Sequence, residues 1–331
     1  MIDEIALLEA WRDTLALSAL KAGEQVVVVT ASDKPTRYKP VATLAARQLG
    51  AAVSDVEIAD PNHLSASTLE LLRAADLVID LVFVHDPALH QVRAAAGTRV
   101  LLVLEPPEIL VRLRPSEADK QRARDAEARL RRARTVRVSS AAGTDFSFAI
   151  GDYPVSSQYG YADEPGHWDH WPGTFVYTFA NDDVGDGRVV IDRGDILFPF
   201  NQYAAEPITL EIADGWINSI AGGFHADMMR SHMASYGSRD VYALSHLGWG
   251  LSPNARWDML GLHPAGAIEG QDGRAFAGNF LFSTGPNDIG GGTRSTPCHI
   301  DAPMRGCTVE LDGVPVVIDG ALVSGPALAA E

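Results

Sequence analysis

Cys298-His299-Ile300-Asp301 sets an imidazole and a carboxylate two residues apart. In an extended chain, residues i and i+2 point to the same face, so His299 and Asp301 converge and offer one nitrogen and one oxygen to a single divalent ion. Pro297 and Pro303 bracket the stretch, which suits a short stiff strand at a sheet edge or loop and not a helix. Upstream, Ser245-His246-Leu247-Gly248-Trp249-Gly250 supplies a second imidazole among glycines. Two histidines and one carboxylate with the remaining positions open form the ligand set of an oxygen-activating non-haem Fe(II) site. On ligand chemistry alone, zinc and manganese fit as well.

A lone His-x-Asp is commonly just a hydrogen-bonded structural pair, so its surroundings matter. Ser283 lies in Phe282-Ser283-Thr284-Gly285, and Gly290-Gly291-Gly292 runs into Arg294-Ser295-Thr296. Irregular, glycine-rich chain beside candidate ligands is how loop-built sites look. Cys298 adjoins His299 but faces the other way in an extended strand, so it reads as packing. A second dense cluster is Gly166-His167-Trp168-Asp169-His170-Trp171-Pro172-Gly173. Apolar rings with a few polar tips can grip a planar polar ligand. A surface loop anchored by its tryptophans explains the same residues, and no third ligand is evident that would make His167 and His170 a second metal site.

Elements able to position these residues follow from periodicity. The first 140 residues alternate helical and strand patterns: helices over 3–21, 40–49, 65–75, near Ala88 and over 116–134, and strands over 25–30, 51–58, 76–83 and 99–105. Continuously apolar strands separated by helices predict a mostly parallel sheet covered on both faces, a Rossmann-like α/β domain over 1–140. The turn after the first strand, Ala31-Ser32-Asp33-Lys34-Pro35, lacks the glycines of a nucleotide site, which excludes dinucleotide binding there. His85, in Phe83-Val84-His85-Asp86-Pro87, falls at the carboxyl end of a strand, where ligands of such sheets sit; capping of the following helix explains it equally well. After residue 140 short strands at 144–150, 187–191, 195–198, 208–212 and 307–311, with helices at 226–235 and 256–260, predict an α+β metal-binding domain over 141–331. The boundary is expected near residues 138–145.

The chain has 331 residues, enough for two domains, and 46% of them are hydrophobic. With 27 basic against 43 acidic residues its formal charge is −16, which argues against nucleic acid or an anionic membrane as partner. The basic run Arg122–Arg137 is interleaved with Asp125 and Glu127 and reads as a solvated helix face. Asp3 and Glu4 stand where a secretory signal would be basic, and no apolar run is long enough to span a bilayer, so a cytoplasmic location is expected. Two cysteines, Cys298 and Cys307, make no disulfide framework.

Together, Ser-His-Leu-Gly-Trp-Gly at 245–250, Gly-Asn-Phe-Leu-Phe-Ser-Thr-Gly at 278–285 and Thr-Pro-Cys-His-Ile-Asp at 296–301 resemble the carboxyl-terminal domain of the 2,5-dihydroxypyridine 5,6-dioxygenases. That family is related in fold to the M29 thermophilic aminopeptidases, and the resemblance covers nearly the whole chain in domain order. It implies an Fe(II)-dependent, extradiol-type dioxygenase of nicotinate breakdown that opens 2,5-dihydroxypyridine between C5 and C6 to N-formylmaleamate. It further implies iron held by His246, His299 and Asp301, with Ser283 close to the metal, His85 as an active-site base, and His167 and His170 in the pocket. The partners implied are a small hydroxylated pyridine and O2, and the relatives form homo-oligomers. The peptidase relatives use extra carboxylates to hold two metals. Here the position nearest one of those carboxylates is Ser283, which favours one metal and oxygen chemistry. A dioxygenase for another hydroxylated ring, an M29-like metallo-aminopeptidase and a non-catalytic binding protein remain the alternatives.

Overall fold

The fold comes from a computed structural model that describes residues 3–32, 38–264 and 266–323. The glycine-free turn that excluded a nucleotide site runs into Asp33–Arg37, outside the described residues, as does the alanine-rich tail. By contacts the chain forms two compact units. One gathers Met1–Lys120, Gln158–Gly173 and Ala267–Gln271; the other gathers Gln121–Ser157, Thr174–Gly266 and Asp272–Glu331. A single crossing near residue 140 was expected. The contacts instead put the first crossing inside helix Glu117–Arg132 and return two later segments to the first unit.

In the first unit, strands Ala52–Ile58, Gln25–Ala31, Leu77–Asp80, Arg99–Val103 and Trp168–Trp171 lie in that order, each parallel to its neighbour. Side chains alternate across the sheet, and both faces are apolar. Val26, Val28, Leu77, Ile79 and Leu101 pack with Trp11 and Ala42 on one side; Val27, Val29, Val78 and Val100 pack with Leu72 and Leu89 on the other. This double burial is why the strands read as continuous apolar runs. Each fully buried Val or Leu contributes roughly 1.5–3 kcal/mol.

The helices start where the sequence caps them. Asp3 accepts from the Ile5 N–H at 2.9 Å, Ser65 from Thr68 at 3.1 Å and Asp86 from Ala88 at 2.8 Å, with Pro87 in the first turn. The first helix stops at Leu17, short of the expected residue 21, because Ala19 takes a φ of 57°.

The second unit holds an eight-stranded sheet in which Asp145–Ala149, Asp186–Ile191, Ile208–Ala213 and Cys307–Leu311 match expected strands. The expected strand at 195–198 shrinks to Ile196–Leu197, and the helix at 256–260 becomes the short Met259–Leu262. A separate antiparallel sheet sets Ile300–Met304, Phe280–Thr284, His246–Gly250 and Phe175–Phe179 side by side. Three of these strands carry the residues singled out for chemistry.

Candidate metal centre

Strand pairing brings the donors together. Ser283 lies opposite Asp301 across the ladder between Phe280–Thr284 and Ile300–Met304. On its other side Asp301 bridges to Phe198, the Phe198 N–H donating to Asp301 O at 2.8 Å and the Asp301 N–H to Phe198 O at 3.2 Å. His246 arrives on the next strand over. Its glycine-rich motif is a packing requirement: a Cβ on Gly250 would sit 2.3 Å from the Phe276 carbonyl oxygen. Gly285 does the same for the last strand, where a Cβ would come 2.2 Å from the Cys298 carbonyl oxygen at a φ of +111°.

The expected i, i+2 convergence holds: His299 Nε2 lies 3.0 Å from Asp301 Oδ1. His246 Nε2 lies 3.3 Å from the same oxygen, and the two imidazole centroids are 4.8 Å apart. Among the described residues, this trio is a group whose donor atoms all fall within 4.8 Å of one another. With donor–metal bonds of about 2.0–2.2 Å, two donors at right angles stand roughly 3 Å apart, so these spacings suit neighbouring ligands of one ion. His246 Nδ1 is buried without a hydrogen-bond partner, which leaves Nε2 as the engaged nitrogen of that ring.

Charge state agrees with ligation. Burial pushes His246 down to about 3, against the pull of the Asp301 carboxylate. For Asp301, burial acts upward, but His299, Arg274 and His246 outweigh it and hold the carboxyl well below its usual range. Neutral imidazole beside carboxylate is the protonation state a divalent metal needs, so the donor set fits the implied group. Tyr177 and Phe179 flank His246, with ring centroids at 5.4 and 6.1 Å. Cys298 is fully buried, and burial pushes its thiol up to about 11, as befits packing.

Ser283 is fully buried and its hydroxyl donates to the His246 carbonyl oxygen at 2.5 Å. Here it braces the backbone of a candidate ligand.

The remaining candidates belong to the first unit. Asp80, at the end of its strand, accepts from the N–H groups of Val82 and Phe83 at 2.9 Å and of Val84 at 2.8 Å. The turn so fixed, with Phe83 at a φ of 65°, leads to an exposed His85 whose ring lies 4.1 Å from that of Phe83. Phe83 also stacks on Trp168 at 6.4 Å, and Trp168 meets His170 edge-on at 6.4 Å.

The segment expected as a pocket loop is an edge strand of the parallel sheet, so His167 and His170 point to opposite faces. His167 Nδ1 is 3.1 Å from the Tyr159 hydroxyl, and Nε2 is 3.6 Å from Asp169. Sequence reading missed this strand because its partner, Arg99–Val103, is far away in the chain. It also missed Arg274 and Phe198, which stand in no telling pattern, and the role of Asn279, although that residue lies in the motif at 278–285.

The family model for 2,5-dihydroxypyridine 5,6-dioxygenase matches residues 6–324. A curated protein of that name from Pseudomonas putida KT2440 is 42% identical over 98% of this chain and 97% of its own. The chain belongs to the 2,5-dihydroxypyridine 5,6-dioxygenase family. The solved structure of 2,5-dihydroxypyridine dioxygenase from the same organism superposes with a TM-score of 0.94 at 41% identity, covering 99% of each chain. AmpT from Thermus thermophilus matches at a TM-score of 0.64 and 13% identity, over 97% of this chain and 99% of its own. That second likeness concerns the fold alone, a mixed α/β architecture with a parallel sheet shared beyond the dioxygenase family. Among the described residues no helix is long and apolar enough to cross a membrane.

Proposed function

We propose that this protein is an Fe(II)-dependent dioxygenase that opens 2,5-dihydroxypyridine between C5 and C6 to N-formylmaleamate, consuming O2. The convergence of His246, His299 and Asp301 in a member of this family carries the proposal. His246 and His299 would hold the metal through Nε2 and Asp301 through Oδ1. Bound iron supplies a centre at which a hydroxypyridine oxygen and O2 meet and exchange electrons. The protein's part is to keep those three donors on one side, leaving room for two reactants.

Ser283 keeps His246 in place through its main chain. We assign to His85 the removal of a ring hydroxyl proton, since an imidazole can serve as a general base and this one is exposed at a strand end. Trp168 and His170, on one face of their strand, are assigned to orienting the ring, and His167 to supporting that strand through Tyr159. The same reading places the enzyme in the cytoplasm as a homo-oligomer.

Anaerobic reconstitution with Fe(II), followed by oxygen-electrode and ultraviolet assays on 2,5-dihydroxypyridine, tests this. Oxygen uptake matched to loss of the pyridine absorbance, and abolished in His299→Ala, is the expected result. Iron bound without turnover would move the substrate to another hydroxylated ring. No iron bound, with peptide hydrolysis under zinc or cobalt, would make the protein a peptidase.

A further inference from the structure

Only one oxygen of Asp301 faces the imidazoles. The other, Oδ2, accepts from Arg274 Nε at 2.8 Å. Both side chains are largely buried, at 18% exposure for Arg274 and 8% for Asp301.

Arg274, on the short helix Gln271–Ala275, is tied to the strands that present the ligands. Its guanidinium carbon lies 4.1 Å from the centroid of Phe198, the residue whose backbone pairs in both directions with Asp301. Asn279, fully buried, donates to the carbonyl oxygens of Gly273 at 2.6 Å and Arg274 at 3.1 Å. The Asn279 Oδ1 in turn accepts from the Gly250 N–H at 2.6 Å, at the end of the His246 strand. A permanently charged, planar group thus lies against the Phe198 ring with one N–H aimed at one carboxylate oxygen, while Asn279 fixes the main chain that carries it.

We propose that Arg274 is a positioning residue for the metal: it holds Asp301 Oδ2 so that the carboxylate offers a single oxygen, Oδ1. A carboxylate free to turn can grip a cation with both oxygens and take up a further coordination position. Held by Arg274 it cannot, and that position stays available to a reactant. The inference deepens the metal-site reading above and rests on it.

The test uses the full-length protein with Co(II) as a visible-absorption probe and Fe(II) in anaerobic competition titrations, for wild type, Arg274→Ala, Arg274→Lys and Phe198→Leu. Loss of an outer partner of a ligand typically lowers metal affinity about 10–100-fold, which is the change expected for Arg274→Ala. Its Co(II) spectrum is expected to shift toward a higher coordination number. Arg274→Lys keeps the charge without the flat fork, so it should recover part of the affinity but not the wild-type spectrum. Phe198→Leu, which spares the charge, should shift the spectrum in the same direction by less, and it decides the matter if Arg274→Ala does not fold. Wild-type affinity and spectrum in every variant, with a raised KM in the Arg274 variants, would mean that Arg274 touches substrate instead, and would overturn the proposal alone. A wild-type protein that binds neither ion would overturn the metal reading as well.

Discussion

Each unit buries aspartates completely or nearly so, and puts them to opposite uses. In the first unit, Asp80 and Asp169 face backbone N–H groups. Asp169 accepts from Tyr159 at 3.0 Å, Gly160 at 3.1 Å and His170 at 2.7 Å. Burial outweighs these bonds and raises both carboxyls, Asp169 strongly. In the second unit, Asp301 faces two imidazoles and a guanidinium, which hold it far below the usual range against the same burial effect. Burial therefore does not decide what a carboxylate does; its partners do. N–H groups make a turn-former, and convergent donors beside a fixed cation make a candidate ligand. The histidines divide in the same way. His246 and His299 share one oxygen, whereas His85, His167 and His170 each have a separate aromatic neighbour.

Replacing Asp301 by Ala is the harshest break of this contrast. It removes the anionic donor and the Arg274 partner together. Metal binding should fall below detection in an anaerobic titration, and the metal-free protein should lose about 3–5 kcal/mol in urea unfolding, as when half of a buried ion pair is deleted. Persistence of wild-type metal affinity would remove Asp301 from the ligand set.

Asp169→Ala is the matching experiment in the other unit. Three buried N–H groups would lose their acceptor, at roughly 1–3 kcal/mol each, so about 3 kcal/mol or more of stability should go. Metal affinity should not change. A parallel fall in Fe(II) affinity would show that the two kinds of aspartate are not separable.

The smallest effect is a pH dependence. Asp195 accepts from the N–H of Arg305, just past the Asp301 strand, at 3.0 Å. Burial raises its carboxyl from 3.8 to about 6. Because the folded value lies above the unfolded one, its contribution is complete below pH ~4 and is lost as pH rises through about 6. Asp195→Asn is neutral throughout, so between pH 4 and 7 its stability relative to wild type should improve by about 2 kcal/mol. A difference that stays constant with pH would mean that Asp195 titrates normally.

The convergence of His299 and Asp301 was legible in the sequence because strand parity is local: two residues apart in an extended segment means one face, whatever the rest of the chain does. Capped helices and doubly buried strands were legible for the same reason, since Asp3, Ser65 and Asp86 act on amides within three residues. The motifs at 245–250, 278–285 and 296–301 pointed to the family.

Tertiary structure alone decided the rest. Trp168–Trp171 became a strand only because Arg99–Val103 offers it an edge, and that pairing turned His167 and His170 to opposite sides. His246 meets Asp301 through strand pairing whose register no local pattern encodes. Arg274 and Asn279 gain their roles from a helix packed against Gly250, a contact between residues that share no periodicity. Local chemistry named the candidate donors, and long-range pairing determined which atoms they face.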